Sequence, residues 1–133
     1  MRTIIYLLLL VSFIGCKKEN PSELQLTGVW LFKESRYSSG YLPNIVKANP
    51  VYPVSLAFKG NGTFSITKLP YITSLQVKLQ EFDRYQALPD NEVRFYNTTN
   101  GEEITYKFVL DQELEIYHPG CREGCSDFFV RSY

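Results

Sequence analysis

Tyr52-Pro53-Val54-Ser55-Leu56-Ala57-Phe58-Lys59 runs directly into Gly60-Asn61-Gly62 and then into Thr63-Phe64-Ser65-Ile66-Thr67-Lys68. Tyr52, Val54, Leu56 and Phe58 alternate with Pro53, Ser55, Ala57 and Lys59, which is the period of a strand with one buried face. Gly60-Asn61-Gly62 turns the chain tightly, and Phe64 and Ile66 carry the same alternation back. A β-hairpin accounts for both runs and for the turn between them.

The same punctuation continues in both directions. Upstream, Leu26 to Tyr37 is a strand candidate with Leu26, Trp30 and Phe32 on one parity. Ser38 to Val51 holds Gly40, Pro43, Asn44, Asn49 and Pro50, and is expected to be a long loop with a little helix around Asn44 to Ala48. Downstream of Leu69-Pro70-Tyr71, Leu75, Val77 and Leu79 alternate, so Ile72 to about Tyr85 reads as a strand or a bulged pair of strands. Leu88-Pro89-Asp90-Asn91 is a turn, Glu92 to Asn97 is extended, and Asn100-Gly101 is expected to supply positive backbone angles for another hairpin. Ile104, Tyr106, Phe108 and Leu110 form the return strand, Leu114 and Ile116 share the face of the next, and Asp127 to Tyr133 is the last. The predicted fold is all-β, with about eight short antiparallel strands in a meander. A meander leaves exposed edges unless it closes, so an up-and-down barrel is the economical architecture and a sandwich the main alternative.

The chain has 133 residues, 44% hydrophobic and 21% charged, a size and balance suited to one domain. An aromatic content of 15% favours pleated, half-buried surfaces. The formal net charge is zero and no basic patch interleaves with aromatics, so nucleic acid is not an expected partner. His118 is the sole histidine, no Ser or Cys stands in a nucleophile elbow, and no phosphate loop occurs. Glu113 and Glu115 alternate with Leu114 and Ile116 and read as a solvated face. The expectation is a protein that is not an enzyme and carries no cofactor.

At the N-terminus, Arg2 precedes an apolar run from Ile4 to Ile14, which is too short to span a bilayer and reads as a secretory leader. Its end, Phe13-Ile14-Gly15-Cys16, resembles the lipobox of bacterial lipoproteins, although Leu is commoner than Phe at the first position. The resemblance implies cleavage after residue 15, diacylglyceryl attachment to the Cys16 thiol and acylation, for example by palmitate, of the new amine. An ordinary signal peptide followed by an incidental cysteine is the alternative. On the lipoprotein reading, residues 1–15 are the signal peptide, 16–25 an acylated cysteine and polar tether, and 26–133 the folded domain. The membrane is then a partner through the lipid anchor. The expected location is the bacterial cell envelope, on the outer membrane, with the leaflet undecided. With Cys16 acylated, Cys121 and Cys125 are an even pair of thiols in an oxidising compartment, and a disulfide between them is expected. A small zinc site from His118, Cys121 and Cys125, with Asp127, is the rival.

Gly28-Val29-Trp30, on the first strand of the meander, resembles the Gly-x-Trp signature of the lipocalins and the wider calycin group. The chain is shorter than a typical lipocalin and is most similar in plan to short lipocalin-like lipoproteins of Bacteroidota. The resemblance implies that Gly28 bends the chain at a closed barrel base, that Trp30 plugs it, and that Arg131 lies across the Trp ring. It also implies a small apolar or amphipathic ligand inside, with Tyr52, Phe58 and Tyr106 among its contacts. The expected inward set is bulky, including Trp30, Phe32, Phe64, Phe95 and Phe108. A second reading therefore stands beside the first. In it the barrel is a scaffold, and a loop bearing Tyr41, Leu42, Ile45 and Val46 engages an envelope protein or glycan.

Overall fold

A computed structural model describes residues 25–38, 43–67, 70, 73–121 and 124–133. The leader, Cys16, Tyr41 and Leu42 lie outside the described residues. In chain order the elements are β1 (Gly28–Ser38), β2 (Pro43–Lys47), β3 (Ser55–Phe58), β4 (Phe64–Ile66), α1 (Ser74–Leu79), β5 (Arg84–Leu88), β6 (Glu92–Tyr96), β7 (Glu103–Leu110), β8 (Leu114–Tyr117) and β9 (Ser126–Ser132).

Leaving β2 aside, the strands neighbour one another in chain order, all antiparallel, and β9 returns to pair with β1. The remaining seam lies between the short strand β4 and β5. It is held by a Thr63–Arg84 bridge and by hydrogen bonds from Phe64 N to Asp83 O (2.9 Å) and from Tyr85 N to Gly62 O (3.0 Å). The result is a nearly closed, eight-stranded up-and-down barrel, the architecture that removes the exposed edges of a meander.

Two segments differ from the expectation. The stretch predicted as a loop with helix around Asn44 to Ala48 is instead strand β2, which pairs with the distal half of β1 from Glu34–Lys47 to Ser38–Pro43. β1 is longer than its other neighbour: β3 pairs only with Gly28 to Leu31, so the distal half of β1 offers an unoccupied row of backbone groups that β2 satisfies. The run predicted as a strand from Ile72 contains helix α1 before β5 begins. Leu75, Gln76 and Leu79 are buried while Val77 is half exposed. The alternating apolar residues hid an i, i+4 pair, Leu75 and Leu79, and Thr73 starts the helix by accepting a hydrogen bond from Gln76 N at 3.2 Å.

At the hairpin turns, Asp90 and Asn91 adopt positive φ (63° and 56°), as does Gly101 (76°). Asn100 does not: its side chain accepts from Glu102 N, so only the glycine of the Asn100-Gly101 pair bends into the left-handed region.

The barrel interior is filled by rings. Phe58 meets Tyr85 with centroids 4.9 Å apart, Phe64 meets Phe95 at 4.6 Å, Phe95 meets Tyr106 at 6.0 Å and Phe32 meets Phe129 at 5.7 Å, mostly edge to face. Leu56, Val93, Leu114 and Ile116 fill the gaps, and Leu75, Leu79 and Phe82 pack in from the α1 side. Burial pushes the Tyr106 phenol up to about 12, as a dry interior disfavours phenolate.

Candidate functional site at the barrel rim

The two ends of the barrel are built from different chemistry. At the base, the Trp30 indole donates to Leu26 O at 2.8 Å, and the Arg131 guanidinium lies 4.4 Å from the centre of its ring. Arg131 also donates to Thr27 O (3.0 Å) and Gln25 O (2.6 Å), fastening the incoming chain across the bottom. Gly28 has φ +138°, and a Cβ there would stand 3.1 Å from Arg131 Nη1. Gly28, Trp30 and Arg131 thus form one cluster that caps the base. Its hydrogen bonds are made within the chain, which gives it a structural role.

At the rim, a change of register opens a cleft. β1 and β9 slip relative to each other between Phe32 and Glu34, a β-bulge that absorbs Lys33. Before the bulge Trp30 and Phe32 face inward. After it the parity is switched, so Ser35, 3% exposed, faces inward and Tyr37 follows on the same side, while Glu34 turns to accept from Arg36 Nε at 2.6 Å. Val46 stands directly opposite Ser35 and shares its face, whereas Ile45, opposite Arg36, points the other way and is 51% exposed.

Parity also carries two polar residues inward. His118 continues the series Leu114, Ile116 beyond the end of β8, and Asp127 continues the series Arg131, Phe129 at the start of β9. Asp127 has no solvent exposure, and both its oxygens are engaged. Thr73 Oγ1 donates to Oδ2 at 2.6 Å, and His118 Nε2 lies 2.9 Å from Oδ1. One buried carboxylate therefore ties β8, β9 and the start of α1 together, and these partners compensate its lost hydration. Since an ionised carboxylate only accepts, Nε2 carries the imidazole proton.

Above this triad lies a cleft of ≈ 280 Å³. β1 and β2 contribute Ser35, Tyr37, Ser38 and Val46; the start of α1 contributes Thr73 and Ser74; His118 and Cys125 complete it. No Lys, Arg, Asp or Glu lines it among the described residues. Cys121 and Cys125 lie within disulfide reach, Cα–Cα 5.7 Å, and His118 N donates to Cys125 O at 2.8 Å, so Cys125 is held next to His118. His118 faces Asp127, and among the described residues no three of His, Cys, Asp and Glu converge on a point where a metal could sit.

The contact residues read from the sequence are dispersed. Phe58 and Tyr106 are 2% and 4% exposed and are held within the ring cluster of the core. Tyr52 lies half exposed in the connection after β2, and Ile45 and Val46 occupy opposite faces of that strand. Of the residues named for ligand contact, Val46 alone lines the rim cleft among those described. Ser35, Tyr37, Thr73 and Ser74 were not singled out, because their placement depends on the bulge and on α1. His118 and Asp127 were named together only as candidate zinc ligands, and the parity that carries both inward, each two residues beyond an inward-facing hydrophobic, is the signal that could have paired them.

Comparison of the chain with family models, with curated proteins and with solved structures finds no match, so the nearly closed eight-stranded barrel, compatible with a lipocalin-like fold, stands on the geometry itself.

Proposed function

We propose that this protein is a lipid-anchored binding module of the bacterial envelope that takes its ligand or partner at the barrel rim, with the barrel as scaffold. The observation that carries this reading is the cleft formed at the rim around a histidine held by a buried carboxylate, above an interior whose described rings pack on one another. A carrier of the lipocalin kind needs an interior cavity, and small-molecule sites typically occupy ~300 to 1,000 Å³. The rings of Phe58, Phe64, Phe95 and Tyr106 take up that space.

The anchor and the cleft suit one another. The lipobox resemblance supports acylation at Cys16, and the tether enters at the base, where Arg131 holds the Gln25 carbonyl. β1 spans from that base to the rim over its 11 residues, a length of about 36 Å at ~3.3 Å per residue. The cleft then faces away from the bilayer, in the outer membrane, available to envelope components.

Native mass spectrometry of the protein extracted gently from its own membrane tests this. Cys16→Ser is expected to move the chain from the membrane to the soluble fraction. A co-purifying species is expected to be lost in Tyr37→Ala and kept in Ile45→Ser, which alters the opposite face of β2. A lipid-like species unaffected by Tyr37→Ala and released only on unfolding would restore the interior carrier.

A further inference from the structure

Resting on the rim-site reading, we infer that the cleft recognises an uncharged, hydroxyl-bearing ring, the residue of a carbohydrate, through a hydrogen bond to His118 Nδ1. The tautomer is the first step. Asp127 accepts from Nε2–H, so in the neutral form of the ring Nδ1 is an acceptor that asks its ligand for a donor. The buried carboxylate polarises the imidazole and strengthens that acceptor, as in carboxylate–histidine pairs generally.

Charge narrows the class. An anion would sit close to the Asp127 carboxylate, which Thr73 and His118 hold at the floor of the cleft. A cation would need direct contact with that carboxylate, which has no exposed surface and both oxygens engaged. A purely apolar ligand would leave the imidazole nitrogen and the hydroxyls of Ser38 and Ser74 without water or partner, a cost for each buried polar group. A sugar ring satisfies these groups with its hydroxyls and offers its C–H face to Tyr37, a residue 38% exposed that lines the cleft. The volume of ≈ 280 Å³ suits a single ring.

The test is NMR titration of the full-length protein in a detergent that carries no sugar, following the His118 and Tyr37 ring resonances. The probes are methyl glycosides of glucose, galactose, mannose and N-acetylglucosamine, with choline and octanoate as cationic and apolar comparators. At least one glycoside is expected to saturate with shifts at both rings, while ¹⁵N shifts show His118 protonated at Nε2 in the free and bound states. His118→Ala is expected to weaken binding about tenfold, the effect of one lost hydrogen bond to a desolvated partner. Tyr37→Ala, at a more exposed position, gives an independent loss should the histidine variant fold poorly. Glycoside binding that is indifferent to both variants overturns the inference, as does the absence of any glycoside-induced shift. Shifts at the cleft from choline or octanoate alone overturn the sugar class but keep the rim site. A co-purified species that is insensitive to Tyr37→Ala removes the rim site itself.

Discussion

Gly28 is where backbone freedom and a close contact coincide. Its φ of +138° lies in a region L side chains rarely adopt, and the space a methyl group would take is bounded by the Arg131 guanidinium. Gly28→Ala is expected to cost roughly 1 to 3 kcal/mol of stability, from backbone strain together with displacement of Arg131 off Trp30. Gly60→Ala is the matched comparison, because Gly60 has no positive φ and nothing within 4 Å of a built Cβ. Urea denaturation of both variants checks this, and equal midpoints would refute the argument. Gly28, Trp30 and Arg131 were expected as a trio through the resemblance of Gly28-Val29-Trp30 to the Gly-x-Trp signature, which also implied the late-strand arginine. Their hydrogen bonds to Gln25 and Thr27 carbonyls were not, because backbone acceptors leave no mark on a sequence.

At the scale of elements, the seam between β4 and β5 is short and depends on the connection after α1. Asp83 organises that connection: its carboxylate accepts from Thr98 Oγ1 (2.6 Å) and Thr98 N (2.9 Å), tying the β6–β7 hairpin to the start of β5. These hydrogen bonds, the side-chain one foremost, hold the Asp83 pKa below its ordinary value. A carboxyl depressed in the folded state stabilises above its unfolded pKa of about 3.9, and that stabilisation is lost as pH falls through the lower, folded value. Asp83→Asn is therefore expected to be less stable than the wild type at pH 7, with the gap closing in acid below about pH 4. Denaturation curves at neutral and acid pH measure it, and a gap independent of pH would show that the charge plays no part. β2 is the element the sequence hid most completely. Pro43 and Asn44 carry turn chemistry, and only the uncovered edge of β1 makes a strand of them.

For the whole molecule, the decisive property is that the described rings of the interior pack on one another. Phe95 packs against Phe58, Phe64, Phe82 and Tyr106, so truncating it opens a void that its neighbours can only partly fill. Phe95→Ala is expected to cost about 3 to 5 kcal/mol and to create a site for benzene that the wild type lacks. Calorimetric unfolding with and without benzene reads both effects, and benzene stabilising the wild type equally would mean that the interior is already open. The all-β class and the hairpin order were legible in the chain's own residues. Both follow from alternation and turn residues, which act over a few neighbours. The sequence also indicated that the interior is crowded, since residue volumes are carried by the residues themselves. Where the rim cleft lies depends on contacts between segments distant in the chain. A one-residue bulge at Lys33 reverses which side chains of β1 face inward, and α1 forms where an alternating pattern suggested a strand. Together they set Tyr37, His118 and the Thr73–Asp127 contact around one cleft. Inward parity is a local property of a strand, whereas register and helix docking are settled by the partners a segment meets.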